Sequence, residues 1–286
     1  MKRKDKKFFK KDAIDTPVLL IAVIITLTTV LISIVFSNTI SVWLESAFHY
    51  LSSKLGIAFI WFTILVILFC LYVAFSKYGN IRMGEDTDRP QYSNISWFSM
   101  IFAAGMGIGL VFWSVAEPLQ HFLNPPKAEP YTSEAIIESL KYTFFHWGIH
   151  PWILYLSVAL PMGYAQFRKK KPMLVSSAFS PFLDNSPLKT PISKAIDAFT
   201  IVLVLIGAAT SFGLGSIQIS NGLEYLFDFS AGRETPILII FLFAVLFIIS
   251  SSAGIDKGMK RLSNVNTVIF FLVLIFVLFT GPTLNL

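Results

Sequence analysis

Three glycines at alternate positions, Gly105, Gly107 and Gly109, sit inside an apolar stretch that runs from about Ser96 to Ala116. A glycine in a helix interior costs about 1 kcal/mol relative to alanine, so the run marks backbone that bends, unwinds or is closely approached. At membrane depth an unwound turn survives only inside protein or beside a cavity, because lipid satisfies no freed N–H or C=O group. Such a turn presents amide dipoles, which suit a carboxylate. Close crossing of two helices through small residues is the other reading of the same spacing.

The second group is aromatic. On a helix, Trp147 and Tyr155 fall on roughly one face two turns apart, and Trp152 lies close to the same stripe. Rings placed this way suit a quaternary ammonium, whose diffuse charge is bound by aromatic faces rather than by hydrogen bonds. An interfacial aromatic belt would look the same. In the same stretch His146 and His150 are four apart on one helix face, a geometry that also ligates a metal or haem. A membrane metal or haem protein is therefore the remote alternative. No further histidine lies within an apolar span and no Cys, Asp or Glu cluster completes a site, so the pair reads first as packed and hydrogen-bonded inside a bundle.

The elements that must carry these residues follow from composition. Hydrophobic residues make up 55% of the chain and charged residues 14%, with a mean hydropathy of +0.68, which excludes a soluble domain. The net charge of +6 is a matter of topology and does not point to nucleic acid. Cys70 is the single cysteine, so no intrachain disulfide can form. The spacing predicts an all-α polytopic protein with seven transmembrane helices near residues 17–36, 57–76, 96–116, 142–164, 196–215, 236–252 and 264–281. Asp15 is placed to cap the first helix, with Pro17 in its opening turn. This helix is expected to be retained, because its apolar run is too long for a cleaved signal and does not end in small residues. A helix is also expected from Ser133, after the loop around Asn124-Pro125-Pro126.

Orientation comes from the connecting segments. Segments 1–11, 77–89, 166–195 and 257–261 hold nineteen of the 23 Lys and Arg residues, leaving only Lys54, Lys127, Lys141 and Arg233 for the alternate segments. That asymmetry predicts a cytoplasmic N-terminus and an external C-terminus. The basic run Arg168 to Lys171 serves as a topological determinant that lipid head groups would also attract.

The run Ala103-Ala104-Gly105-Met106-Gly107-Ile108-Gly109-Leu110, continuing through Phe112-Trp113 to Glu117-Pro118, resembles the signature of the betaine/choline/carnitine transporter family. The resemblance extends over nearly the whole chain and is strongest over 96–118, 143–155 and 207–218. It implies a secondary transporter of the bacterial-type plasma membrane that imports quaternary-ammonium compatible solutes, as an osmotic response, rather than an enzyme. Family members have twelve helices, the third to seventh and eighth to twelfth forming two five-helix repeats of inverted topology. Residues 1–95 then correspond to a basic tail and two leading helices, and 96–286 to the first repeat. A chain without the second repeat is expected either to transport alone or to be an inactive half that needs a partner.

The resemblance places Gly105, Gly107, Gly109, Trp147, Trp152 and Tyr155 at or near the substrate path. It implies no organic cofactor, sodium as coupling ion and a homotrimer. One family sodium site uses backbone oxygens of the unwound third helix, matching Ala103 and Met106. Another uses two threonines four apart on the fifth helix, where this chain has Val204 and Ala208, neither with an oxygen to offer. Gly207, Ser211 and Gly215 form a small-residue stripe on the same helix, explained by close packing. Choline-preferring relatives carry an aspartate at the position of Gly109. An uncompensated cation within the bilayer is costly, whereas a zwitterion brings its own carboxylate, so glycine betaine is expected over choline.

Overall fold

A computed structural model describes residues 15–228 and 230–281, apart from the side chains of Ile108 and Val111. The basic tail at 1–11 lies outside the described residues. The first helix, α1 (Thr16–Val35), is capped by the Asp15 carboxylate, which accepts the Val18 N–H at 3.3 Å, and Pro17 occupies its opening turn. Helix α2 (Ser37–Phe75) has 39 residues, about 58 Å at 1.5 Å per residue. The expected second span is thus the latter part of a longer helix, and residues 37–56, read as a connecting segment, are helical. A 3-10 turn (Lys77–Asn80) and an irregular segment follow.

The next two spans are each built of two helices. Over 96–116, where the glycine run marks backbone that bends, unwinds or is closely approached, the chain forms α3 (Asn94–Gly105) and α4 (Ile108–Leu123). Instead of one helix over 142–164 there are α5 (Ser133–Trp147) and α6 (Ile149–Gly163). Helix α5 begins at Ser133 as its sequence suggests, with the Thr132 hydroxyl accepting the Ala135 N–H at 3.2 Å. After a π-helical turn (Tyr164–Arg168) come the short α7 (Val175–Ala178) and α8 (Ser180–Leu183), then α9 (Lys189–Phe227) and α10 (Glu234–Ser252). Gly254, at φ 77°, reverses the chain into a second π turn (Ile255–Met259) and α11 (Lys260–Thr280). Among the described residues five helical stretches, α1, α2, α9, α10 and Ile255–Thr280, are long and apolar enough to cross a bilayer unbroken. The chain is a multi-pass membrane protein of helices, without strands among the described residues.

The chain divides into two compact units, one made of residues up to Asp88 with Thr143–Gly207, the other of Arg89–Tyr142 with the residues from Ala208 on. In the first, α2 packs on α1 and α6, and α7 packs on α6. Its polar edge is joined by ion pairs. The Arg168 guanidinium meets Asp86 at 2.7 Å and donates to the Gly84 carbonyl at 2.9 Å. Lys170 reaches Glu85 at 3.1 Å, and Lys194 reaches Asp15 at 3.3 Å. Hydrogen bonding from Arg168, then its charge, holds the Asp86 carboxyl below the usual carboxylate range. Lys171 and Lys189 do the same for Asp184, chiefly by hydrogen bonds. These contacts tie together segments that the charge alternation assigns to one side.

In the second unit α3 packs on α11, with the Phe102 and Phe270 rings 4.8 Å apart. Lys260 sits 5.7 Å from the centre of the Tyr92 ring. Burial and a hydrogen bond with Asp256 raise the Tyr92 phenol above its ordinary value. Both contacts again join segments of the cation-rich set. The loop beyond α4 is held by Glu138, whose carboxylate accepts the N–H groups of Lys127 and Ala128, each at 3.1 Å.

Candidate functional site

The glycine run is a break in the backbone. Helix α3 ends at Gly105; Met106 (φ −112°, ψ 86°) and Gly107 (φ −115°, ψ −133°) are not helical, and α4 restarts at Ile108. The Met106 N–H still reaches the Phe102 carbonyl at 2.6 Å, and the Leu110 N–H returns to the Gly107 carbonyl at 3.2 Å. No side chain caps α4, so its opening amides are the donors that a helix start leaves without intrahelical partners. A Cβ built at Gly107 would meet nothing within 4 Å. Its φ is open to any residue, so glycine's contribution here is lack of bulk beside those amides. Gly109 lies in the first turn of α4. Ala103 lies in the last turn of α3 and Met106 is its C-cap, where carbonyls are similarly left over.

The aromatic group is arranged differently from its sequence reading. Trp147 is the last residue of α5, while Trp152 and Tyr155 belong to α6. One continuous face eight residues long does not exist, because the chain turns at Gly148 (φ −78°, ψ −144°). A Cβ at Gly148 would lie 2.5 Å from the Phe144 carbonyl oxygen, so this turn requires glycine. The three rings are linked across the turn instead. The Trp152 indole N–H donates to the Trp147 carbonyl at 3.0 Å, and the Trp152 and Tyr155 rings stack with centroids 5.8 Å apart at 29°. Trp147 and Trp152 are half-buried, and Tyr155 is 68% exposed. The turn had a sequence signal in Gly148 followed by Pro151, since proline is tolerated in a first helical turn where its missing N–H costs nothing.

The same break separates the histidines. His146 is on α5 beside Trp147 (ring centroids 5.3 Å apart), and His150 is on α6 against Phe145 (4.4 Å), so they do not share a helix face. Among the described residues no group of three or more His, Cys, Asp or Glu side chains could hold a metal ion. Glu117, read from sequence only as part of a signature, is a buried carboxylate on α4, 5% exposed, with His121 Nε2 at 3.6 Å. His121 in turn packs on Tyr142, ring centroids 5.7 Å apart. Its signal was the i, i+4 spacing of acid and imidazole.

Comparison with known proteins agrees with the signature. The profile of the betaine/carnitine/choline family transporters matches residues 17–286. The glycine betaine transporter OpuD of Bacillus subtilis (strain 168) is 40% identical over 264 residues, 92% of this chain and 51% of its own. A probable glycine betaine transporter of Desulfitobacterium hafniense (strain Y51) is 39% identical over 264 residues, 92% of this chain and 53% of its own. An ectoine/hydroxyectoine transporter of Virgibacillus pantothenticus is 33% identical over 275 residues, 96% of this chain and 54% of its own. The chain spans about half the length of these relatives. A profile that matches all but the first sixteen residues, carried by a helix broken at its glycine signature, leads to one statement: the chain belongs to the betaine/carnitine/choline transporter family.

Proposed function

We propose that the chain is the substrate-handling half of a secondary transporter that imports glycine betaine or a similar compatible solute across the plasma membrane, by alternating access coupled to an ion. The observation that carries this reading is the break at Met106-Gly107, which leaves the uncapped start of α4 beside a residue without a side chain. Amides at a helix start suit the carboxylate of a zwitterion. The stacked pair Trp152 and Tyr155, with Trp147 tied to it by a hydrogen bond, by itself suits a quaternary ammonium. Names of relatives support the solute class: two are glycine betaine transporters and one is an ectoine/hydroxyectoine transporter. Transport rather than catalysis, seven spans with the first five-helix repeat over 96–286, a cytoplasmic N-terminus, a trimer and sodium at the Ala103 and Met106 carbonyls complete the proposal.

Labelled glycine betaine offered to cells that lack their own uptake and make this chain tests it. Accumulation above vector controls supports import and removes the reading of an inactive half. No accumulation, in cells where the chain is inserted and intact, favours the half that needs its second repeat. Gly109→Asp tests the choice of substrate, because a carboxylate in the first turn of α4 competes for the amides and supplies the counter-charge a bare cation lacks. Choline uptake should rise and betaine uptake fall, and no change in their ratio counts against the assignment.

A further inference from the structure

Segment 172–183, which holds α7 and α8, has the wrong polarity for a connection bathed in water. Ser176 and Ser177 of α7 are 7% and 8% exposed, whereas Met173, Phe179 and Phe182 around them are 67%, 46% and 83% exposed, and Leu174 is exposed as well. Loop 84–88 of the same unit shows the ordinary arrangement, with Glu85, Asp86, Thr87 and Asp88 outward. Apolar surface is driven out of water, so a segment that hides its hydroxyls and presents its rings is facing another medium. The long spans show the same inversion because lipid surrounds them.

Asp197 sets the depth of the segment. Its carboxylate accepts the Ser176 N–H at 3.1 Å and the Ser176 hydroxyl at 2.7 Å. Asp197 stands on α9 where the apolar stretch 196–215 begins, so α7 is clamped at the level where that helix enters the hydrocarbon. Helix α7 also packs on α6 and on the π turn that follows it. Cations rim the segment. Lys171 and Lys189 share the Asp184 carboxylate at 2.6 and 2.9 Å, and Lys169 lies 5.8 Å from the centre of the Tyr164 ring. Residues 168–189 hold five Lys and Arg against the one acid, Asp184. Glu85 and Asp86, docked on Lys170 and Arg168, leave the rim positive. That charge is complementary to the phosphates of lipid head groups, and apolar side chains flanked by lysines are the composition of an element lying in a membrane surface.

We propose that segment 172–183 is a membrane-surface anchor, in which Met173, Leu174, Phe179 and Phe182 enter the phospholipid head-group layer while Lys169, Lys171 and Lys189 lie at the level of the phosphates. Held there through Asp197, the segment fixes the depth at which α6 leaves the bilayer and α9 enters it. The anchor does not depend on which solute or ion is carried.

The test places a nitroxide spin label at Met173→Cys, Phe182→Cys or Asn185→Cys, each in a Cys70→Ser background, with the chain in nanodiscs of phosphatidylcholine and phosphatidylglycerol. Power saturation compares collisions with oxygen, which dissolves in lipid, and with a nickel chelate, which stays in water. Labels at 173 and 182 are expected to be reached by oxygen and to lose access to the chelate, while the label at the exposed polar position 185 keeps it. Chelate access at 173 and 182 equal to that at 185 overturns the proposal in favour of a water-facing loop. Loss of access to both reagents overturns it in favour of cover by protein, whether a second copy or another chain. Photo-crosslinking of the unmodified chain covers the case in which the labelled variants do not insert: a phospholipid with a diazirine near its glycerol should leave adducts within 172–183. Adducts confined to the long spans also overturn the proposal. Solute uptake is not read in any arm, so the transport reading stands or falls separately.

Discussion

Gly148, at the break between α5 and α6, and Gly56, inside α2, differ in what a side chain would meet, and substitution separates them. At Gly148 a β-carbon collides with the Phe144 carbonyl, so Gly148→Ala should destabilise the chain by about 1–3 kcal/mol, as strained backbone sites do. At Gly56, inside α2 with open space around it, alanine should be neutral or stabilising by up to about 1 kcal/mol. Denaturant unfolding in detergent measures both, and an equal effect at the two sites would refute the geometric reading of Gly148. At this scale the sequence was only partly legible. The glycine cluster at 105–109 pointed either to a break or to a close helix crossing, and the backbone at Met106 and Gly107 decides for the break. Gly148 stands alone among Phe, His and Trp, and its role depends on where one carbonyl points. The stacking of Trp152 on Tyr155 was likewise hidden, since it follows from that turn and not from a single helical period.

At the scale of elements, hydrophobic periodicity located helices well and their ends poorly. Nothing in composition stops α2 or α9 at the bilayer surface, because their extensions are as helix-compatible as their cores. Capping chemistry did better at α1, where Asp15 accepts an N–H as its position suggests; Ser93 and Thr132, which the sequence reading did not single out, do the same for α3 and α5. The polar loop 81–89 was legible only as a loop. Its docking on the turn after α6 rests on Arg168, with Asp86 and Gly84 as partners, contacts some eighty residues apart in sequence. Because Arg168 lowers the Asp86 carboxyl, the folded state binds a proton less readily than the unfolded one. The pair therefore stabilises above the ordinary carboxylate value of about 3.9, and its contribution is lost as pH falls through the lowered one. Amide exchange over 84–88, followed from neutral pH downwards, should stay slow until the solution is more acidic than that ordinary value. In Arg168→Gln it should be fast throughout. The pair is solvent-exposed, so global stability should hardly change.

For the whole molecule the strongest sequence signal was the distribution of cations, and the structure adds that ion pairs and a cation–π contact join the very segments that alternation groups. Cysteines placed at Lys169, Lys257 and Lys127 in a Cys70→Ser background should report this from intact cells. The first two should be shielded from an impermeant thiol reagent and the third labelled; labelling of Lys169 or Lys257 positions would reverse the orientation. What no local pattern could supply is the pairing of α3 with α11, because apolar helices offer lipid and protein the same surface and only the small polar positions discriminate between them. The account as a whole stands on two local features, the uncapped start of α4, which suits a carboxylate, and the Trp152–Tyr155 pair, which suits a quaternary ammonium. Its most direct measurement is equilibrium binding of labelled glycine betaine to the chain in lipid nanodiscs, with Gly107→Leu and Trp152→Leu beside the unmodified chain. The account predicts saturable binding that weakens at least tenfold in each variant, about 1.4 kcal/mol, with choline a poor competitor. Saturable binding that both variants retain, or that choline displaces as readily as betaine itself, would contradict it.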